Sequence, residues 1–71
     1  MQTYYVVLGP DGLPSLAQRR VQGTKKFGYS SIALARAGAK RSGMPPNSII
    51  VERHTDGMND WEGRIVGHVG K

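Results

Sequence analysis

Apolar and aromatic residues recur along the chain with two different spacings, and these spacings predict its secondary structure. The segment TYYVVL (3–8) is rich in aromatic and β-branched residues, which is typical of a strand. The segments SIIVERHT (48–55) and WEGRIVGHV (61–69) predict two more strands, joined by a short turn. Between them, residues 31–42 carry apolar positions at helical spacing. The pattern therefore predicts strands on both sides of one helix.

The segment LPSLAQRRVQG (13–23) admits two interpretations. As a strand, residues 16–22 would return antiparallel to the first strand after the turn GPDG (9–12). As a short helix, the segment would begin at Pro14 and end at Gly23. The turn signal favours the strand.

The expected fold class is α+β, and residues 1–71 are expected to form a single domain. The predicted order is β-β-α-β-β, with one antiparallel sheet packed on one helix. A chain of this length buries a thin core.

The helix has recognisable ends in the sequence. Ser30 is the predicted N-cap, and Tyr29 with Leu34 would form a hydrophobic staple across it. Gly43 is the predicted stop. The predicted buried arc consists of Ile32, Leu34, Ala35, Gly38 and Ala39. Because most of these residues are small, the helix is expected to approach the sheet closely.

The last two strands are expected to form a hairpin. Its predicted cross-strand pairs are Val51–Ile65, Ile49–Gly67, Arg53–Gly63, Thr55–Trp61, Ile50–Val66, Glu52–Arg64 and His54–Glu62. This register sets opposite charges and apolar residues against each other, as cross-strand energetics favour. The face with Val51 and Ile65 is assigned to the helix.

The net charge of +5 is unevenly distributed along the chain. Residues 12–51 contain no acidic side chain, and their net charge is +7. The two flanking segments, 1–11 and 52–71, each have a net charge of −1. Such a basic block suggests an acidic partner, although solubility alone would also explain it.

The basic block supplies the candidate binding residues. The predicted contacts to nucleic-acid phosphate or to an acidic partner are Arg19, Arg20, Lys25, Lys26, Arg36, Lys40 and Arg41. Phe27 and Tyr29 are candidates for stacking on unpaired bases. A structural interpretation competes for both aromatics, in which Phe27 closes the end of the core and Tyr29 forms the staple.

The sequence argues against an enzyme, a metal site and a cofactor. There is no cysteine, and the two histidines, His54 and His68, are expected to be far apart on exposed strand positions. Asp56 and Asp60 flank a turn, which accounts for both. No glycine-rich phosphate-binding motif is present.

The stretch TKKFGYSSIALARAGAKR resembles the strand-turn-helix pattern of DNA-binding domains found in some integrases. Those domains place three strands before the helix. Here two strands are predicted to follow it, so the chain is not assigned to that family.

Two functions remain as expectations. The first is a small basic nucleic-acid-binding protein that uses phosphate contacts with little base specificity. The alternative is a small protein-binding module or inhibitor of phage or mobile-element type, for example anti-CRISPR-like, that docks on a nucleic-acid-handling machine. We expect a cytoplasmic protein without a membrane segment or signal peptide, and an exposed edge strand could pair two copies into a homodimer.

Overall fold

A computed structural model describes residues 2–12, 19–20, 27–56 and 58–70, with the backbone alone at positions 19, 20 and 27. The elements in chain order are β1 (Gln2–Leu8), β2 (Arg19–Arg20), β3 (Phe27–Gly28), α1 (Ile32–Arg41), β4 (Ile49–Thr55) and β5 (Asp60–His68). The fold is α+β, as the sequence predicts. Among the described residues, no helix has the length and apolar character needed to cross a lipid bilayer.

The sheet is antiparallel, with strand order β1-β4-β5. β2 and β3 form a separate two-stranded ladder. Tyr29, directly after β3, pairs with Tyr5 of β1 through two backbone hydrogen bonds of 2.8 Å each. In the described part of the chain, β1 therefore lies between β4 and Tyr29.

This topology corrects the predicted β-β-α-β-β order. The turn at 9–12 forms as expected, with the Gly12 amide donating to the Gly9 carbonyl at 2.9 Å and a Gly12 φ of 81°. However, the described strand that follows, β2, pairs with β3 rather than with β1. Along β1, β4 pairs with one edge, and Tyr29 pairs with Tyr5 on the other. The question of strand or helix within 13–18 and 21–23 lies outside the described residues.

The β4–β5 hairpin departs from its predicted register. The observed pairs are Ile49–His68, Ile50–Gly67, Val51–Ile65, Arg53–Glu62, His54–Trp61 and Thr55–Asp60. Of the predicted pairs for which the structure gives a partner, only Val51–Ile65 is confirmed. On each side of the Val51–Ile65 pair, β5 contains one more residue than the stretch of β4 that it faces. The two extra residues indicate two β-bulges in β5. Each bulge changes the faces on which the following side chains lie.

The helix packs on the sheet through small residues, as predicted. Ala35, Gly38 and Ala39 are buried. The core cluster consists of Val7, Ala35, Ala39, Ile50 and Val69. The sheet face under the helix is therefore that of Val7 and Ile50, and its assignment to Val51 and Ile65 is wrong.

The other face of the sheet also carries buried residues. Tyr4, Val51 and Thr55 are only 2%, 6% and 2% exposed. The sequence did not distinguish the two faces of β4, because Ile49, Ile50 and Val51 are all apolar and do not alternate with polar residues.

The helix begins one residue later than predicted. The N-cap is Ser31, whose Oγ accepts a hydrogen bond from the Leu34 amide at 3.1 Å. Ser30 is therefore not the cap. Leu34 is 52% exposed, so its predicted buried position is wrong, and with the cap at Ser31 the staple positions no longer fall on Tyr29 and Leu34.

The helix ends as expected, at a glycine. Gly43 has a φ of 78°, a conformation that is strained for other residues. The Met44 amide donates to the Ala39 carbonyl and the Gly43 amide to the Lys40 carbonyl. This pair of hydrogen bonds is a Schellman motif, and the partly buried Met44 side chain packs against the core.

Candidate nucleic-acid interface

The acidic side chains of this chain are held by internal partners. Glu62 forms an ion pair, since its Oε1 lies 3.2 Å from Arg53 Nη1, and Glu52 Oε1 accepts a hydrogen bond from His54 Nε2 at 3.2 Å. Asp60 Oδ2 accepts a hydrogen bond of 3.4 Å from the Tyr4 hydroxyl. Asp11 also has an internal interaction.

The fifth acidic side chain, Asp56, organises the turn between β4 and β5. Its Oδ1 accepts backbone hydrogen bonds from Asn59 at 2.7 Å and from Met58 at 2.9 Å. These bonds, led by the one from Asn59, hold the pKa of Asp56 below its ordinary value of 3.8. Four of the five carboxylates in the sequence therefore accept a hydrogen bond or lie in an ion pair.

Two of the described cations are engaged in the same way. Arg53 pairs with Glu62, and Arg36 donates from Nε to the His68 carbonyl at 3.3 Å. The Arg36 guanidinium also lies over Gly67, where a Cβ would come within 3.1 Å of Nη2. Arg36, predicted to contact phosphate, is therefore half-buried against β5.

Three other cations project into solvent. Lys40 and Arg41, in the last turn of α1, and Arg64 in β5 are exposed. Within the described ranges, none of the three forms a side-chain hydrogen bond or ion pair. Lys40 and Arg41 also suit their position for a second reason, because cations near a helix C-terminus interact favourably with its dipole.

The remaining predicted cations lie where side-chain geometry is not described. Arg19 and Arg20 form β2. Its pairing with β3 places their backbone beside the segment that leads into the helix. Lys25 and Lys26 lie outside the described residues. The role of these four residues stays a prediction.

Phe27 and Tyr29, the two candidates for base stacking, are described by the structure to different extents. Phe27 pairs with Arg20 through its backbone in the β2–β3 ladder, and its side chain is not described. Tyr29 is half-buried with its ring against Gly38, and its hydroxyl is buried without a hydrogen-bond partner in the described structure. Packing thus gives Tyr29 a structural role, while stacking by either residue stays a prediction.

His54 lies in a polar cluster that sequence reasoning did not find. Its Nε2 lies 3.2 Å from Glu52 and its Nδ1 lies 3.0 Å from the Thr3 hydroxyl. A carboxylate only accepts hydrogen bonds, so Nε2 carries the proton and, in the neutral imidazole, Nδ1 accepts from Thr3. The predicted pairing of His54 with Glu62 is wrong, because the bulge near Gly63 shifts β5 against β4 and sets Trp61 opposite His54; at this bulge Glu52 has no single Cα partner, and Arg64 forms no hydrogen bond or ion pair with it.

That shift leaves Arg64 without the carboxylate that the sequence assigned to it. Arg64 is therefore a candidate binding residue that sequence reasoning missed, because its apparent partner depended on a register that the bulge changes. Across the described residues, no three His, Asp or Glu side chains are arranged to hold a metal ion.

Comparison of the chain with protein-family models, with curated proteins and with solved structures finds no match.

Proposed function

We propose that this chain binds nucleic acid through the phosphate backbone, with little base specificity. The observation that carries the proposal is an asymmetry of charge. In the described structure, four of the five carboxylates accept an internal hydrogen bond or lie in an ion pair, whereas Lys40, Arg41 and Arg64 are exposed and form neither. These three cations can contact phosphate groups without giving up an internal partner, and the net charge of +5 favours a polyanion.

The salt dependence of binding is the direct test. Affinity for a fluorescein-labelled 20-base-pair duplex is measured by anisotropy across a series of NaCl concentrations. If the seven predicted cations all contact phosphates, the slope of log K against log salt approaches about −6. Absence of binding at low salt, or binding that is insensitive to salt, contradicts the proposal.

A matched pair of variants separates phosphate contacts from total charge. The double variant Lys40→Gln/Arg41→Gln removes two free cations and is expected to make the slope shallower by about 2. In the control variant, Arg53→Gln, the cation removed is already paired with Glu62. If the slope changes by the same amount per charge removed in both variants, the unpaired cations have no special role in binding.

A second candidate function is a protein-binding module or inhibitor, for example anti-CRISPR-like, that docks on a nucleic-acid-handling machine. The supporting observation is that Met58 and Ile65, on the β4–β5 hairpin, are 92% and 58% exposed. Capture of host proteins with and without nuclease treatment discriminates the two candidates. One partner retained after nuclease treatment favours docking on a protein.

Pairing of two copies through an edge strand stays a proposal. In the described sheet β5 is an edge, but its two bulges interrupt the regular ladder that a second copy would need. Sedimentation of the chain at increasing concentration measures whether such a homodimer forms.

A further inference from the structure

The helix covers only one end of the sheet face on which it packs. Val7 and Ile50 are opposite each other at that end and are fully buried. At the other end, cross-strand pairing places Thr3, His54 and Trp61 in one row across β1, β4 and β5. Thr3 is exposed and Trp61 is 44% exposed. An accessible indole side chain therefore lies on this face, beside an imidazole.

The imidazole beside Trp61 is held in one orientation. Both ring nitrogens of His54 form hydrogen bonds, at 3.0 Å to Thr3 and at 3.2 Å to Glu52. Residues directly opposite on antiparallel strands have their Cβ atoms about 5 Å apart. The His54 ring is therefore preorganised beside Trp61, and little of its side-chain entropy is lost when a ligand contacts it.

Gly63 makes room in β5 for the side chains of Glu52 and His54. A Cβ at this position would lie 2.7 Å from Glu52 Oε1 and 3.2 Å from His54 Nε2. Glycine thus lets the Glu52–His54 pair lie directly against β5. The space that a side chain at position 63 would take is therefore filled by Glu52 and His54.

Charges of both signs flank Trp61, with Asp60 and Glu62 next to it in the chain and Arg64 three residues further on. Arg64 follows Gly63 in the same strand and is one of the exposed, unpaired cations of the described structure. The carboxylate of Glu62 is neutralised by Arg53, and that of Glu52 faces His54. Asp60 Oδ2 accepts a hydrogen bond from the Tyr4 hydroxyl, so among the charged side chains of residues 60–64 Arg64 is the one that forms neither a hydrogen bond nor an ion pair within the described structure.

We propose that Trp61, beside His54, stacks an unpaired nucleobase and that Arg64 contacts an adjacent phosphate. The inference rests on the proposed function and specifies its ligand as single-stranded nucleic acid. A base presents its face to a protein aromatic ring only when it is not enclosed in a duplex. Stacking also tolerates any base, which agrees with low base specificity.

Intrinsic fluorescence tests this inference because Trp61 is the sole tryptophan. The chain is titrated with a single-stranded 12-mer of thymidine and, separately, with a blunt duplex of 12 base pairs. The single strand is expected to quench Trp61 and to bind more tightly than the duplex. Anisotropy of labelled oligonucleotides measures the same affinities in variants that lack the indole.

The variants separate stacking from charge. Trp61→Leu is expected to weaken single-strand binding about 5-fold to 100-fold without changing the salt slope, because stacking releases no counterions. Trp61→Phe retains an aromatic face and is expected to recover part of the loss. The matched control is Ile65→Thr, in the same strand but on the opposite face of the sheet, which is expected to bind like the unmodified chain. Circular dichroism confirms that each variant is folded.

The outcomes distinguish this inference from the proposed function. Binding of both oligonucleotides with equal affinity and no change in Trp61 fluorescence overturns the stacking site but leaves the phosphate-binding function in place. Equal losses in the Trp61→Leu and Ile65→Thr variants also overturn it. If neither oligonucleotide binds at low salt, the proposed function fails, and the stacking site with it.

Discussion

Replacing Gly38 with alanine tests the packing that joins the helix to the rest of the fold. In the middle of a helix, alanine is normally favoured over glycine by about 1 kcal/mol. In α1, however, a Cβ at Gly38 would lie 2.5 Å from the Tyr29 Oη and 2.6 Å from its Cε1. The ring cannot move aside freely, because the Tyr29 backbone is paired with Tyr5 and the Tyr29 hydroxyl is buried.

The sign of the effect follows from comparing these two contributions. Overpacking of this kind typically costs about 1–3 kcal/mol, which exceeds the gain in helix propensity. We therefore expect Gly38→Ala to lower the free energy of unfolding by about 1 kcal/mol. In a domain of this size, that corresponds to a fall in Tm of about 4–8 °C.

Urea unfolding followed by circular dichroism measures the effect, and a double-mutant cycle assigns its cause. In a Tyr29→Leu background, where the shorter side chain relieves the clash, Gly38→Ala should stabilise the protein by about 1 kcal/mol. Ala37→Gly, at an exposed position of the same helix, measures the difference in helix propensity between alanine and glycine where no clash is involved. If Gly38→Ala stabilises the chain while Tyr29 is present, the Tyr29 ring does not pack over Gly38.

Two further predictions concern local structure. Ser31→Ala removes the side chain that caps α1 and should lower the free energy of unfolding in urea by about 1 kcal/mol. Ser30→Ala should lower it by close to nothing. Equal losses in the two variants would contradict the assignment of the cap to Ser31. The lowered pKa of Asp56 means that its contribution to stability is present above its ordinary pKa of 3.8 and is lost as the pH falls through the folded value. Between about pH 5 and about pH 2, the Asp56→Asn variant should therefore lose less stability than the unmodified chain, and identical profiles would show that Asp56 does not contribute.

Local chemistry made several elements predictable from the sequence. β1, α1 and the last two strands lie within about two residues of their predicted ends, since periodicity and turn residues act over a few neighbouring positions. The turn at Gly12 and the helix end at Gly43 were predictable for the same reason, because both require a positive φ. The small buried face of the helix follows directly from Ala35, Gly38 and Ala39.

The candidate site was less predictable, because it depends on which charges are neutralised. The sequence identifies Lys40 and Arg41 as cations on a helix, and both are exposed there. It could not show that Arg36 is half-buried against the His68 carbonyl, or that Arg64 has no carboxylate partner. These outcomes depend on distances between residues far apart in the chain.

The sequence by itself determined the identity of the main elements, the helix end and the basic character of the chain. The tertiary structure alone decided which strands flank β1, which face of β4 lies under the helix and which charged side chains remain free. The physical reason is the period of two in a strand. One extra residue in β5 moves side chains to the opposite face, and so the two bulges around the Val51–Ile65 pair decide what His54, Trp61 and Arg64 can contact.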